Sequence, residues 1–239
     1  ICGVAWAPDS NWIAYGHSSA EHTSTIRLCK IDTGKVVAVS REDFSDGYPS
    51  FDPDGKYLYF ISGRTYNPVY DNLYFDLGFP LGMRPYLVTL RQDAPSPFAR
   101  GTAEPRAPGG TGNTKSSGSK DSKDPFRIDL DNIGDRVVAF PVPEGRYGGI
   151  LGARGRVLYS KYPIVGSLSN KMDTDSQPKG ILEHWVFDNN KSGRVADKVS
   201  DFTLSMDARV LGIRSGNRVR AVPVDFKDDS EKNKDEFSR

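Results

Sequence analysis

Short runs of alternating apolar and polar residues, each closed by a turn, recur along the chain. The clearest runs from Tyr48 to Ser62. A short strand, Tyr48 to Phe51, leads into Asp52-Pro53-Asp54-Gly55, where proline presets φ and glycine supplies a residue that takes φ > 0. Lys56 to Ile61 follows as an aromatic and branched run with strand propensity. The phrase occurs once before, with Ala7-Pro8-Asp9-Ser10 at the turn, an offset of ~45 residues that matches one propeller blade. Ile150 to Ser160 keeps strand, glycine turn and strand around Gly155. Leu204 to Ile213 keeps the hydrophobics and has no turn glycine.

These repeats predict an all-β fold, a β-propeller of about four blades, each a four-stranded antiparallel sheet. The blades fall at about 1–45, 46–143, 144–199 and 200–226. In the first, Gly3 to Ala7, Asn11 to His17, Thr25 to Lys30 and Lys35 to Ser40 read as strands; Thr25 to Cys29 alternates as a half-buried strand does. In the second, Thr65 to Pro80 is too long for a hairpin loop and too aromatic for a solvated linker. Tyr66, Tyr70, Tyr74, Phe75 and Phe79 must be covered, either on their own blade or by a neighbouring domain or channel rim. Pro85 to Leu90, Arg127 to Leu130 and Arg136 to Val142 read as further strands. Between them, 94–125 has a glycine- and serine-rich stretch without hydrophobic period, the pattern of a flexible insertion inside a blade.

The third blade continues through Leu182 to Phe187 and Gly193 to Ala196, after a polar loop from Asn170 to Gly180. The fourth holds Phe202 to Ser205, Val210 to Arg214 and Arg218 to Val224, and offers no outer strand. Residues 227–239 are a mixed-charge linker or tail. Propellers close with ~4–8 blades, so four irregular blades predict part of a larger ring.

Composition narrows the picture. The 239 residues carry a net charge of +1, with no acidic or basic block that argues for nucleic acid or a membrane surface. No apolar run approaches the ~20 residues of a membrane helix. No signal peptide opens the chain, and a start at Ile1 rather than methionine predicts a fragment or processed chain. Cys2 and Cys29 make no disulfide framework. They read as buried thiols, with a bridge between them left open.

The chain resembles tricorn protease and its bacterial relatives. The residues that carry this are Tyr48 to Phe60, then Arg64-Thr65-Tyr66-Asn67-Pro68-Val69-Tyr70-Asp71, Phe79-Pro80 and Arg84-Pro85-Tyr86-Leu87. Ile128 to Ile133, Arg136 to Pro143 and Tyr147 follow in the family's order. The Pro-Asp-Gly turn alone is shared with TolB-type and peptidase propellers, whereas the Arg-Thr-Tyr-Asn-Pro-Val-Tyr-Asp run is specific. The resemblance implies the later blades of a second, seven-bladed propeller, ahead of a PDZ-like domain and a serine peptidase region. It also implies a cytoplasmic hexamer that trims oligopeptides, with the propeller as the substrate route.

Catalytic chemistry is not legible in the chain itself. A hydrolase needs an activated nucleophile beside a base, and no Gly-x-Ser-x-Gly elbow occurs. His17, His22 and His184 read as ordinary strand or loop histidines. No zinc spacing and no phosphate loop occur; Asp52, Asp54 and Asp71 could suggest calcium, but Asp52-Pro53-Asp54-Gly55 is better explained by turn geometry. The family's catalytic residues belong to its peptidase half and map onto no position here. Catalytic, metal and cofactor residues are therefore none. The innermost strands, Gly3–Trp6, Tyr48–Phe51, Tyr147–Ile150 and Phe202–Leu204, supply the candidate channel lining, Trp6, Tyr48, Ser50, Gly149 and Thr203; the simpler reading, preferred for most of them, is that they only pack between blades. The alternative is a TolB-type scaffold working without a peptidase.

Overall fold

The computed structural model describes residues 3–18, 22–71, 76–98, 126–164 and 180–226, with backbone alone at 71, 76 and 77. Strands β1 (Val4–Trp6), β2 (Trp12–Ser18), β3 (Ser24–Lys30) and β4 (Val36–Ala38) pair in order as one antiparallel sheet. A second sheet is built from β5 (Ser45–Phe51), β6 (Tyr57–Gly63), β9 (Met83–Thr89) and β10 (Val137–Ala139). A hairpin, β7 (Val69–Asp71) and β8 (Asp76–Gly78), is inserted between its second and third strands. The third sheet comprises β11 (Arg146–Ala153), β12 (Arg156–Tyr162), β13 (Gly180–Val186) and β14 (Lys191–Val199). The last has three strands, β15 (Asp201–Leu204), β16 (Val210–Ser215) and β17 (Arg218–Pro223). One parallel bridge, Ser24 to Ser45, ties the first two sheets together. Among the described residues there is no α-helix, only a 3₁₀ turn at Ile133–Arg136, and hence none that could cross a membrane.

Alternation along the strands decides what each sheet touches. Successive side chains on a strand point to opposite faces. Leu58 and Phe60 of β6 therefore pack with Ile26 and Leu28 of the first blade. Tyr59 and Ile61, between them in sequence, pack with Ile150, Val157 and Tyr159 of the third. Leu158 and Leu182 turn the other way and meet Leu211 and Ile213 of the fourth. The core is thus three seams between four stacked blades. Each buried Leu or Phe in a seam contributes roughly 1.5–3 kcal/mol relative to exposure.

The turn between the first two strands requires a left-handed residue in every blade. Ser10 (φ 60), Gly55 (φ 71), Gly155 (φ 68) and Ala208 (φ 55) occupy it. Gly55 has a second constraint, because a Cβ there would lie 2.6 Å from the Phe126 ring. The fourth blade manages without glycine by side-chain hydrogen bonds. Asp207 Oδ1 accepts from the Arg209 N–H at 3.1 Å, and Ser205 Oγ accepts from the Val210 N–H at 3.0 Å. Asp9 makes the same bond in the first blade, accepting from the Asn11 N–H at 3.0 Å. The two aspartate bonds, each from the N–H two residues on, are Asx turns.

Two expectations change. Arg127 to Leu130 is not a strand: both edges of β9 are already taken by β6 and β10. The segment is instead clamped by Arg136, whose guanidinium donates to the carbonyls of Thr89 (3.0 Å), Asp131 (2.9 Å) and Asp129. The Thr65–Pro80 stretch does contain a hairpin, and its described aromatics are not buried on their own blade, which leaves the other expectation, cover by a neighbouring domain or channel rim, standing. Tyr66, Tyr70 and Phe79 are each at least half exposed, and Tyr66 meets Phe79 edge to face at 6.2 Å. Tyr74, Phe75, Cys2, most of the 94–125 insertion and the 227–239 tail lie outside the described residues.

Candidate functional site

The innermost strands β1, β5, β11 and β15 carry the five proposed lining residues, and alternation separates these by face. Trp6 is 59% exposed and lies directly opposite Ile13, whose other neighbour is Cys29. These three share the face of the first blade that points away from the second. The exposure of Trp6 therefore belongs to an open blade face. Thr203 lies opposite Gly212 on the corresponding far face of the fourth blade. Gly149 points into the seam, where a Cβ would meet the Phe202 ring at 3.4 Å.

Ser50 departs furthest from a lining role. It is buried, and its hydroxyl accepts a hydrogen bond from the Gly152 N–H at 2.9 Å. That bond joins the innermost strands of the second and third blades. Gly152 must be glycine for the strands to approach: a Cβ there would lie 2.4 Å from the Phe51 carbonyl oxygen.

Tyr48 breaks the alternation. Pairing runs from Gly47↔Ile61 to Ser50↔Tyr59, so Tyr48 and Pro49 together oppose Phe60 in a β-bulge. Bulges re-aim a side chain and are frequent beside functional sites. Tyr48 has φ 57 and is 48% exposed. A left-handed backbone costs a non-glycine residue roughly 1–2 kcal/mol. The bulge is braced by Gly3, the residue before β1, where a Cβ would sit 3.1 Å from both the Tyr48 Cα and the Pro49 Cδ. Sequence reading marked Tyr48 by repeat position; the bulge itself leaves no sequence signal when the left-handed residue is not glycine.

Sequence reasoning missed the buried ion pair beneath this bulge. Asp46 of β5 has a fully buried side chain, and its Oδ2 accepts from Arg64 at 3.0 Å. The Arg64 Nε donates to Ser62 Oγ at 2.7 Å. Its guanidinium carbon lies 4.8 Å from the Phe44 ring centroid and 4.9 Å from that of Tyr86. Stacked and forked arginines of this kind are not replaceable by lysine. The signal was present: Arg64 opens the specific Arg-Thr-Tyr-Asn-Pro-Val-Tyr-Asp run.

At the opposite end of β5, Asp52 closes the turn. Its Oδ2 accepts from the Lys56 N–H at 3.1 Å. Burial pushes its carboxyl up to about 6, with the Asp54 charge adding to the rise; the Lys56 and Asp54 N–H bonds act against it. The histidines are dispersed, with His17 in β2, His184 in β13 and His22 exposed in a loop. Among the described residues no three His, Cys, Asp or Glu side chains converge as a metal site requires.

Residues 1–225 match the family described as the tricorn protease second beta propeller domain. A tricorn protease homolog of Streptomyces coelicolor is 32% identical over 225 residues, covering 93% of this chain and 21% of that protein. A homolog from Saccharolobus solfataricus is 34% identical over 225 residues, covering 94% of this chain and 19% of that protein. The crystal structure of the tricorn protease superposes with a TM-score of 0.71 at 21% identity, over 93% of this chain and 21% of that one. The chain therefore spans about a fifth of the curated relatives it matches.

Proposed function

The chain belongs to the tricorn protease family as its second β-propeller domain, and on that premise we propose that its blades form part of a seven-bladed ring through which oligopeptides reach a serine peptidase region. Its role is non-catalytic: it contributes access and assembly, and the chemistry is done elsewhere in the protein. Strand β1 presents an uncovered face with Trp6, and β17 ends a sheet one strand short of the others. Both are surfaces that further blades would cover. The intact protein is a cytoplasmic hexamer in this reading, joined to a PDZ-like domain.

Tyr48 carries the access reading. A strained aromatic on an innermost strand, turned out of the seams by a bulge, is suited to contact a passing chain. The test is light scattering on the purified full-length protein, with a fluorogenic oligopeptide assay on the same peak. A hexamer that cleaves the peptide is the expected result. A particle of full-length protein that cleaves no oligopeptide would favour a binding scaffold instead.

A further inference from the structure

The seam between the first and second blades opens into a polar recess of about 270 Å³, lined by Ser40, Arg41, Phe44, Arg64, Asp135 and Val137. Arg64 reaches it from the end of β6 with its side chain 16% exposed. Rings of Phe44, Phe60 and Tyr86 flank its guanidinium. Ser62 and Asp46 take the Nε and Nη2 donors. A guanidinium has five N–H donors, and among the described residues Nη1 has no hydrogen-bond partner. Arg41 lines the same recess, 72% exposed, with Asp135 3.9 Å away. Ser40 Oγ accepts from the Ile26 N–H at 3.0 Å, which leaves its own O–H to donate.

We propose that this recess binds a carboxylate, such as that ending a peptide chain, between the Arg64 and Arg41 guanidinium groups. Three features select this class. The free donors sit on a rigid fork, the geometry that recognises planar anions. Asp46 offsets Arg64, and once the exposed Asp135 is released from Arg41 one positive charge is left, which matches a single carboxylate and is too little for a dianion such as phosphate. Its volume lies just below the roughly 300–1,000 Å³ of small-molecule sites, which suits one terminal residue with its side chain against Phe44. The incoming carboxylate displaces Asp135 from Arg41 and leaves the buried Asp46–Arg64 pair intact. The site stands apart from Tyr48 and does not depend on the access reading.

The test is calorimetric titration of the full-length protein with acetate, N-acetylphenylalanine and N-acetylphenylalaninamide. The free acid should bind at least tenfold more tightly than the amide, the fold-change of about one charge-assisted hydrogen bond. Arg41→Gln, on an exposed side chain, should remove that preference, and Asp135→Asn should strengthen it. Acetate binding as well as N-acetylphenylalanine identifies a site for free small carboxylates. Preference for N-acetylphenylalanine identifies one for peptide ends. Equal binding of acid and amide, or a preference that survives Arg41→Gln, overturns the proposal.

Discussion

Gly152 and Ser50 join two blades through a single hydrogen bond, from the Gly152 N–H to the Ser50 Oγ at 2.9 Å across the seam. Both residues are buried, so the donor has no route to water. Ser50→Ala should cost about 1–3 kcal/mol, the penalty of an unsatisfied buried N–H. Gly152→Ala should cost more, because its Cβ would lie 2.4 Å from the Phe51 carbonyl oxygen and 2.8 Å from the Tyr59 ring. Denaturant unfolding of the two variants checks the order; a Gly152→Ala protein as stable as wild type would contradict it.

The Asp46–Arg64 pair should behave as a unit. Removing one partner of a buried ion pair strands the other charge, typically at about 3–5 kcal/mol. Arg64→Met should destabilise by that order, and Asp46→Asn combined with Arg64→Met should recover part of the loss. A double-mutant cycle in which the two losses simply add would show that the pair is not coupled.

Asp52 gives the protein a pH-dependent stability of defined sign. Its carboxyl is raised from 3.8 to about 6 by burial, so the folded state holds the proton more tightly than the unfolded chain. Stability should fall as pH rises from about 4 to about 6, by roughly 3 kcal/mol in total, and stay lower above that. Asp52→Asn keeps the acceptor for the Lys56 N–H and should flatten this dependence. Unfolding midpoints measured from pH 4 to 7 decide it; an unchanged slope in the variant would assign the dependence to other groups.

Tyr48 should show its backbone strain when the side chain is removed. Glycine accepts φ 57 freely and alanine does not. Tyr48→Gly should therefore be about 1 kcal/mol more stable than Tyr48→Ala, against the usual preference for alanine in a strand. Equal stabilities would mean that the bulge relaxes once the aromatic ring is gone.

Architecture was legible because the signals were local. Asp52-Pro53-Asp54-Gly55 and its copies marked the hairpins, and the continuous aromatic and branched run after the turn marked a strand buried on both faces. The fourth blade was readable through Leu211 and Ile213, which hold the seam even without a turn glycine. What escaped was set by long-range pairing. Arg127 to Leu130 has strand composition but no free edge to join. Ser50 and Trp6 occupy the same kind of innermost strand, yet one is in a seam and the other on an open face. Spacing along one strand does not say which blade stands opposite. The aromatics at Tyr66, Tyr70 and Phe79 had the composition of a packed loop, and their exposure emerged only with the fold.

Access through the bore is tested most directly by the ratio of cleavage rates for a long and a short peptide in the full-length protein, with Tyr48 as wild type, Gly and Trp. Tyr48→Trp should slow the long peptide more than the short one, and Tyr48→Gly should shift the ratio the other way. Equal changes for both lengths would contradict a role for this strand in admitting substrate.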